Sequence, residues 1–176
     1  MGRRLHVGGT VKCQGWEILN TNPAPYVDHV CNANDLSRFE NDTFEQIYAS
    51  HVLEHFDYKD ELPRTLIEWH RVLVPGGTVL LSVPDLDILS SLLLEKDRLS
   101  IDDRFFVMRM IFGGHVDTFD YHLVGLNQDF LESFLHASGY VNIRRVNTFG
   151  LFSDTSSMTF RGVPISLNMI AEKSHT

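Results

Sequence analysis

Apolar residues fall along this chain in short runs separated by turn-forming residues, and the spacing within each run predicts an element. Three short strands come first: "RLHVGG" (4–9), "GWEILN" (15–20) and "YVDHVCNA" (26–33). "FEQIYAS" (44–50) is a clearer strand, rich in β-formers. A helix follows over 60–73, with Pro63 tolerated in its first turn and Leu62, Leu66, Trp69 and Leu73 on one face. "VPGG" (74–77) stops that helix, because proline cannot continue it and glycine supplies a positive-φ turn. The almost wholly apolar "TVLLSVP" (78–84) suits a parallel strand covered on both faces.

Beyond Pro84, "DLDILSSLLLEKDRL" (85–99) has helical character. A further helix spans 100–112, with Ser100 as its cap and Asp102 and Asp103 in its first turn. The Phe and Met residues of "RFFVMRMIF" are expected on its buried face. "GGHVDTFDYHLVGL" (113–126) reads as a polar loop. "NQDFLESFLHASGY" (127–140) is a helix with Asn127 as N-cap and Gly139 as C-cap, and strands "VNIRRVNTF" (141–149) and "ISLNMIAEK" (165–173) follow. Alternating strands and helices predict an α/β sheet.

The 176 residues, 43% hydrophobic and 22% charged, suit one domain over 1–176. A net charge of -8, from 15 basic and 23 acidic residues, argues against nucleic acid or an anionic membrane as partner. Cys13 and Cys31 are too few for a disulfide framework, and a reducing cytoplasm is the expected location. "MGRRLHVGG" lacks the apolar core of a signal peptide, and His6 stands where a myristoylation motif wants Ser or Thr. No run approaches the roughly 20 apolar residues of a transmembrane helix.

Within "ASHVLEHF" (49–56), His51, Glu54 and His55 match H-x-x-E-H, the inverted zinc-protease spacing. That motif belongs inside a long helix with a third ligand downstream, whereas here a strand ends just before His51. No metal is assigned on this reading. Glu54 and His55 are expected in helix-start hydrogen bonds and packing, and His51 at the carboxyl end of its strand, where open parallel sheets bind ligands.

The ordered block "NDTFEQIYASHVLEHF…LIEWHRVLVPGGTVLLSVPDL" (41–86), with "LHVGGT" before it and "FLESFLHASGYVNIRRV" after it, resembles the class I S-adenosylmethionine-dependent methyltransferases. The likeness is nearest to the compact predicted methyltransferases with a shortened N-terminal half. It implies a Rossmann-like fold with a mostly parallel central sheet, an antiparallel last strand, and N-terminal helices reduced or missing. Only residues 8–15 and 21–25 join the first three strands, too few for ordinary crossover helices. One sheet face is therefore expected to need cover, from a second subunit in a homodimer or from the 100–112 helix.

By the same resemblance, S-adenosylmethionine would be held by Gly8, Gly9, Asn20, Asn32, Ala33 and Ser50. Three positions depart from the family pattern. Thr10 replaces a later glycine of the first motif, Asn20 aligns with the ribose-binding acid, and Asn32 aligns with the adenine-binding acid. Each amide costs about 1–2 kcal/mol of charge-assisted bonding, which weakens binding without abolishing it. Asn34 or Asp35 could stand in for Asn32, and ordinary turn chemistry accounts for Asn20 and Asn32 equally well.

Methyl transfer is an in-line displacement that asks mainly for proximity, a dry pocket and sometimes a base. His51, His115 and His122 are the candidate bases, with Asp117, Asp120 and Tyr121 to orient them. A metal held by His115, Asp117 and His122 would have no recognised spacing. The expected acceptor is a small or sugar-containing molecule. Two other readings stand beside this one: a binding or scaffold protein that keeps the fold with a degraded cofactor site, and a dinucleotide oxidoreductase, which lacks its G-x-G-x-x-G fingerprint.

Overall fold

The computed structural model describes residues 2–116 and 118–175. Among the described residues nine strands form in chain order: β1 (Arg3–Val7), β2 (Glu17–Asn20), β3 (His29–Val30), β4 (Phe44–Ser50), β5 (Leu73–Pro84), β6 (Tyr140–Val146), β7 (Thr159–Phe160), β8 (Val163–Pro164) and β9 (Ser166–Lys173). Seven of them build one sheet in the order β3-β2-β1-β4-β5-β9-β6, and β7 and β8 pair apart from it. The first five strands of that order run parallel, while β9 is antiparallel to both β5 and β6. The α-helices among the described residues are α1 (Glu61–Val72), α2 (Leu86–Leu94), α3 (Ile101–Phe112) and α4 (Gln128–Ala137).

Capping chemistry acts where the sequence places it. Ser100 and Asp103 form a reciprocal capping box at α3, and Asn127 accepts the Phe130 N–H at the start of α4. The α4 C-cap is Ser138, and Gly139 follows it at φ +90. Segment β5 begins at Leu73, ahead of "TVLLSVP", because its proline-glycine stretch enters the ladder as an irregularity opposite Phe44 and Gln46. A Cβ at Gly77 would stand 2.8 Å from the Val74 carbonyl oxygen and 3.1 Å from that of Glu45, so glycine permits this close approach. Helix α2 stops at Leu94, before the charged "EKDR".

No helix occupies either of the first two crossovers, as their length predicts. Side chains tie these strands instead. The Asp28 carboxylate accepts the Ile18 N–H at 2.9 Å and Lys12 Nζ at 2.6 Å, and Glu17 binds both Arg3 and His29. The segment between β3 and β4 is stapled to α1: Trp69 Nε1 donates to the Ala33 carbonyl at 2.7 Å, and the Arg71 guanidinium donates to the carbonyls of Leu36 and Phe39.

One sheet face packs Leu5, Ile47, Val79 and Leu81 against Leu62, Leu66 and Trp69 of α1 and Leu131 and Leu135 of α4. The other face is not bare. Trp16, Tyr48 and Leu80 are buried there under Phe149 and Phe152, which belong to the chain after β6. Helix α3 therefore does not cover the sheet; it packs on α2 around Leu89, Leu92 and Val107. Its aromatic residues depart from expectation too. Phe105 and Phe112 are exposed, and Val107 alone among the helix residues is fully buried. No helix among the described residues is long and apolar enough to cross a membrane.

Candidate functional site

Strands β1 and β4 are neighbours whose onward connections leave in opposite directions, to β2 and to β5. Their carboxyl ends part there, which is where open α/β sheets form a ligand crevice. A cleft of about 550 Å³ opens at that point, lined by Gly8, Asn20, Asn32, Ala33, His51 and Val52 among others. Its size falls within the few hundred to a thousand Å³ of small-molecule sites.

Gly8 turns the chain out of β1 at φ +76, and its N–H donates to the Leu19 carbonyl at 2.8 Å. A Cβ at this position would stand 2.9 Å from Val52 Cγ2, on the cleft floor. Gly8→Ala is therefore expected to cost about 1–2 kcal/mol in left-handed strain, read as a lower unfolding midpoint in urea, and to narrow the cleft. Gly9 is buried behind this turn, its carbonyl accepting from Asn20 Nδ2 at 3.2 Å. The Asn20 amide oxygen accepts the Asn22 N–H, so both halves of the side chain take part in local turn chemistry while it lines the cleft. Asn34 lines the cleft beside Asn32, whereas Asp35 does not and accepts the Ser37 N–H.

The chain leaves β4 through His51, at φ +54, into a 3₁₀ turn, Leu53–His55. His51 Nε2 lies 3.0 Å from Ser166 Oγ. That hydroxyl donates its proton to the Thr155 carbonyl at 2.7 Å, so it accepts from His51, whose Nδ1 keeps a lone pair. Burial and then the charge of His122 lower the His51 pKa to about 4, leaving it neutral and weakly basic near pH 7. Glu54 is 1% exposed, with no partner for either carboxylate oxygen, and burial pushes its pKa up to about 8. Its Oε1 lies 3.5 Å from His51 Nδ1 and 4.0 Å from His122 Nε2.

The structure thus brings Gly8, Asn20, Asn32, Ala33 and His51 to one cleft, with His122 behind His51 on a smaller neighbouring cavity. Ser50 is elsewhere, its hydroxyl 2.8 Å from Thr155 Oγ1. His115 stacks on Tyr121 with ring centroids 4.0 Å apart, and its Nε2 bonds to the Phe112 carbonyl; it does not line the cleft, although Tyr121 does. Asp120 accepts the Val116 N–H. Asp117 lies outside the described residues. The structure groups Glu54 and His55 with His122, an association for which the H-x-x-E-H spelling is the only signal in the sequence.

Residues 16–81 match the family model of a methyltransferase domain. No protein of curated function matches the chain in sequence. Among solved structures, a possible exported protein of Bordetella parapertussis is 10% identical, with a TM-score of 0.60 over 98% of this chain and 62% of its own. An S-adenosylmethionine-dependent methyltransferase of Methanosarcina mazei is 16% identical, with a TM-score of 0.61 over 99% of this chain and 93% of its own. The 1,6-didemethyltoxoflavin-N1-methyltransferase of Burkholderia thailandensis, solved with 1,6-didemethyltoxoflavin and S-adenosylhomocysteine, is 14% identical, with a TM-score of 0.58 over 98% of this chain and 72% of its own. This chain spans less than two thirds of the Bordetella protein. At such identities the likeness is one of fold. Strand order, the cleft between β1 and β4, and the methyltransferase-domain match over residues 16–81 together give this chain the class I S-adenosylmethionine-dependent methyltransferase fold, with its first two crossovers stripped of helices.

Proposed function

We propose that the cleft binds S-adenosylmethionine and that the protein transfers its methyl group to a small-molecule acceptor. The observation carrying this reading is the open cleft at the parting of β1 and β4, walled by the left-handed Gly8 turn on one side and His51 on the other. The residues fit such a cofactor. Gly8 leaves room for close backbone approach, Asn20 offers polar contact at the end of β2, and the 32–34 segment supplies backbone and amide groups at the end of β3. When bound, S-adenosylmethionine supplies an electrophilic methyl on a sulfonium. The chain's own part is to orient it and to exclude water with Val52, Phe56 and Leu123. His51, neutral and held by Ser166, stands at the strand end as a positioned hydrogen-bonding group for the acceptor. The acidic balance of the chain disfavours nucleic acid as acceptor, and the Burkholderia enzyme, with 1,6-didemethyltoxoflavin bound, offers a precedent for a small molecule.

Calorimetric titration with S-adenosylhomocysteine tests this reading. Saturable heat is expected, with affinity weakened by the amides at Asn20 and Asn32. Absence of heat and of any thermal shift at millimolar ligand would favour the second reading, a scaffold that keeps the fold alone, which Asn20's double engagement in its own turn supports.

Asn20→Asp separates the two further. The carboxylate gives up the donor to Gly9 and, relative to the amide, gains about 1–2 kcal/mol of charge-assisted bonding to a ribose diol. A roughly tenfold gain in affinity is expected. Unchanged binding would remove Asn20 from the cofactor site.

A further inference from the structure

The turn after β4 and the loop between α3 and α4 converge on a buried carboxyl group that methyl transfer does not use. Glu54 is buried with both carboxylate oxygens unpartnered. Around it, three imidazoles present lone pairs, as their other hydrogen bonds require. His122 Nδ1 lies 3.2 Å from the Ile111 carbonyl, and a carbonyl only accepts, so Nδ1 carries the proton and Nε2 is left free, 4.0 Å from Glu54 Oε1. His55 Nδ1 bonds in the same way to the Tyr121 carbonyl at 3.1 Å, which frees its Nε2. His51 Nδ1, free by the Ser166 argument, stands 3.5 Å from the same carboxylate oxygen.

A carboxyl group ringed by acceptors satisfies them only with a proton or a cation. One ligand atom each from Glu54, His55 and His122 lie within 4.8 Å of one another. We propose that Glu54, His55 and His122 bind one divalent first-row transition-metal ion, of the Zn²⁺ class, with His51 beside the remaining coordination position. Two imidazoles and a carboxylate are a set that such ions favour, and an Nδ1–H bond to a backbone carbonyl is how a ligating histidine is oriented. Tetrahedral bonds of about 2.1 Å place ligand atoms about 3.4 Å apart, so the 4.0 Å between His122 and Glu54 closes by less than 1 Å on binding.

The loop that brings His122 is already tethered at the same place. The N–H groups of Leu123 and Val124 both donate to the Glu54 carbonyl, at 2.7 and 3.3 Å. Ligands separated widely in sequence are therefore fixed relative to one another before any ion arrives. Of the three, His55 also lines the cleft, so the ion would sit at its wall. This site stands independently of the cofactor reading, because an ion would bind even a chain with no affinity for S-adenosylmethionine.

The test is titration of the chelator-stripped full chain with Co²⁺, followed by visible absorption. Expected are d–d bands that saturate at one equivalent, bleach on adding Zn²⁺, and accompany a higher melting temperature. Glu54→Gln and His122→Ala should each weaken Co²⁺ binding at least tenfold, while His136→Ala, on exposed α4 surface, leaves it unchanged. Glu54→Gln keeps the shape of the buried group without its charge, so metal-free protein melting at or above the wild-type temperature shows that the loss of binding is not unfolding. Absence of both the bands and the Zn²⁺-induced thermal shift would overturn the proposal, as would binding that survives both ligand substitutions.

Discussion

Trp69→Ala should lower the unfolding free energy by about 3–5 kcal/mol, measured by urea denaturation at constant m-value. Trp69 is fully buried and is the largest side chain that α1 sends under the sheet, in contact with the cluster that spans both α1 and α4. Truncation empties that volume and also strands the Ala33 carbonyl, which loses the indole N–H it accepts at 2.7 Å. Trp69→Phe separates the two effects. It keeps most of the packing but removes the donor, and is expected to cost about 1–3 kcal/mol. Ala33 lines the cleft, so loosening the 32–34 wall should also weaken S-adenosylhomocysteine binding several-fold. A Phe variant with wild-type stability and affinity would show that α1 does not hold the cleft wall through this bond.

That bond illustrates what the sequence reveals and what it conceals. Strand β4 coincides with "FEQIYAS", because a run of β-formers lies between turn residues and fills the centre of the sheet. The α3 and α4 caps were legible for a similar reason, since Ser100 and Asn127 act on residues three positions away. Edge strand β3 shrank from "YVDHVCNA" to two residues, there being one neighbour to pair with. Gly8, Asn20 and Asn32 could be placed together because the family resemblance assigns the ends of the first three strands to one ligand, and parallel strands bring those ends to one edge of the sheet. Phe149 and Phe152 could not be assigned to the sheet face, for they sit in irregular chain with no period to say where they point. The sequence offers His122 as a base over the cleft and not as a partner of Glu54, because a long aperiodic loop carries no register against the turn it packs on.

Lowering the pH from 6.5 to 4 should remove about 3 kcal/mol of stability through His6 alone, and His6→Leu should abolish that portion. His6 is 7% exposed, its Nδ1 has no partner, and its ring lies against Phe152 with centroids 4.2 Å apart, and edge-on to Tyr48 and Trp16. Burial among these rings lowers its pKa from 6.5 to about 4, with the charge of Asp154 opposing in part. The unfolded chain therefore binds a proton that the folded chain refuses between those two values. The His6 contribution is complete above pH 6.5 and declines as the pH falls toward 4, at about 1.4 kcal/mol per unit. His51, lowered to about 4 by burial first, adds slope of the same sign, and Glu54, raised to about 8 by burial, opposes it, so the His6 portion is read as the difference between the wild-type and His6→Leu curves. Leucine keeps the site apolar and removes an unsatisfied ring nitrogen, which predicts little loss at neutral pH. Parallel urea-midpoint curves for wild type and His6→Leu across this window would mean that the ring is hydrated in solution and that the aromatic cover over the sheet is open.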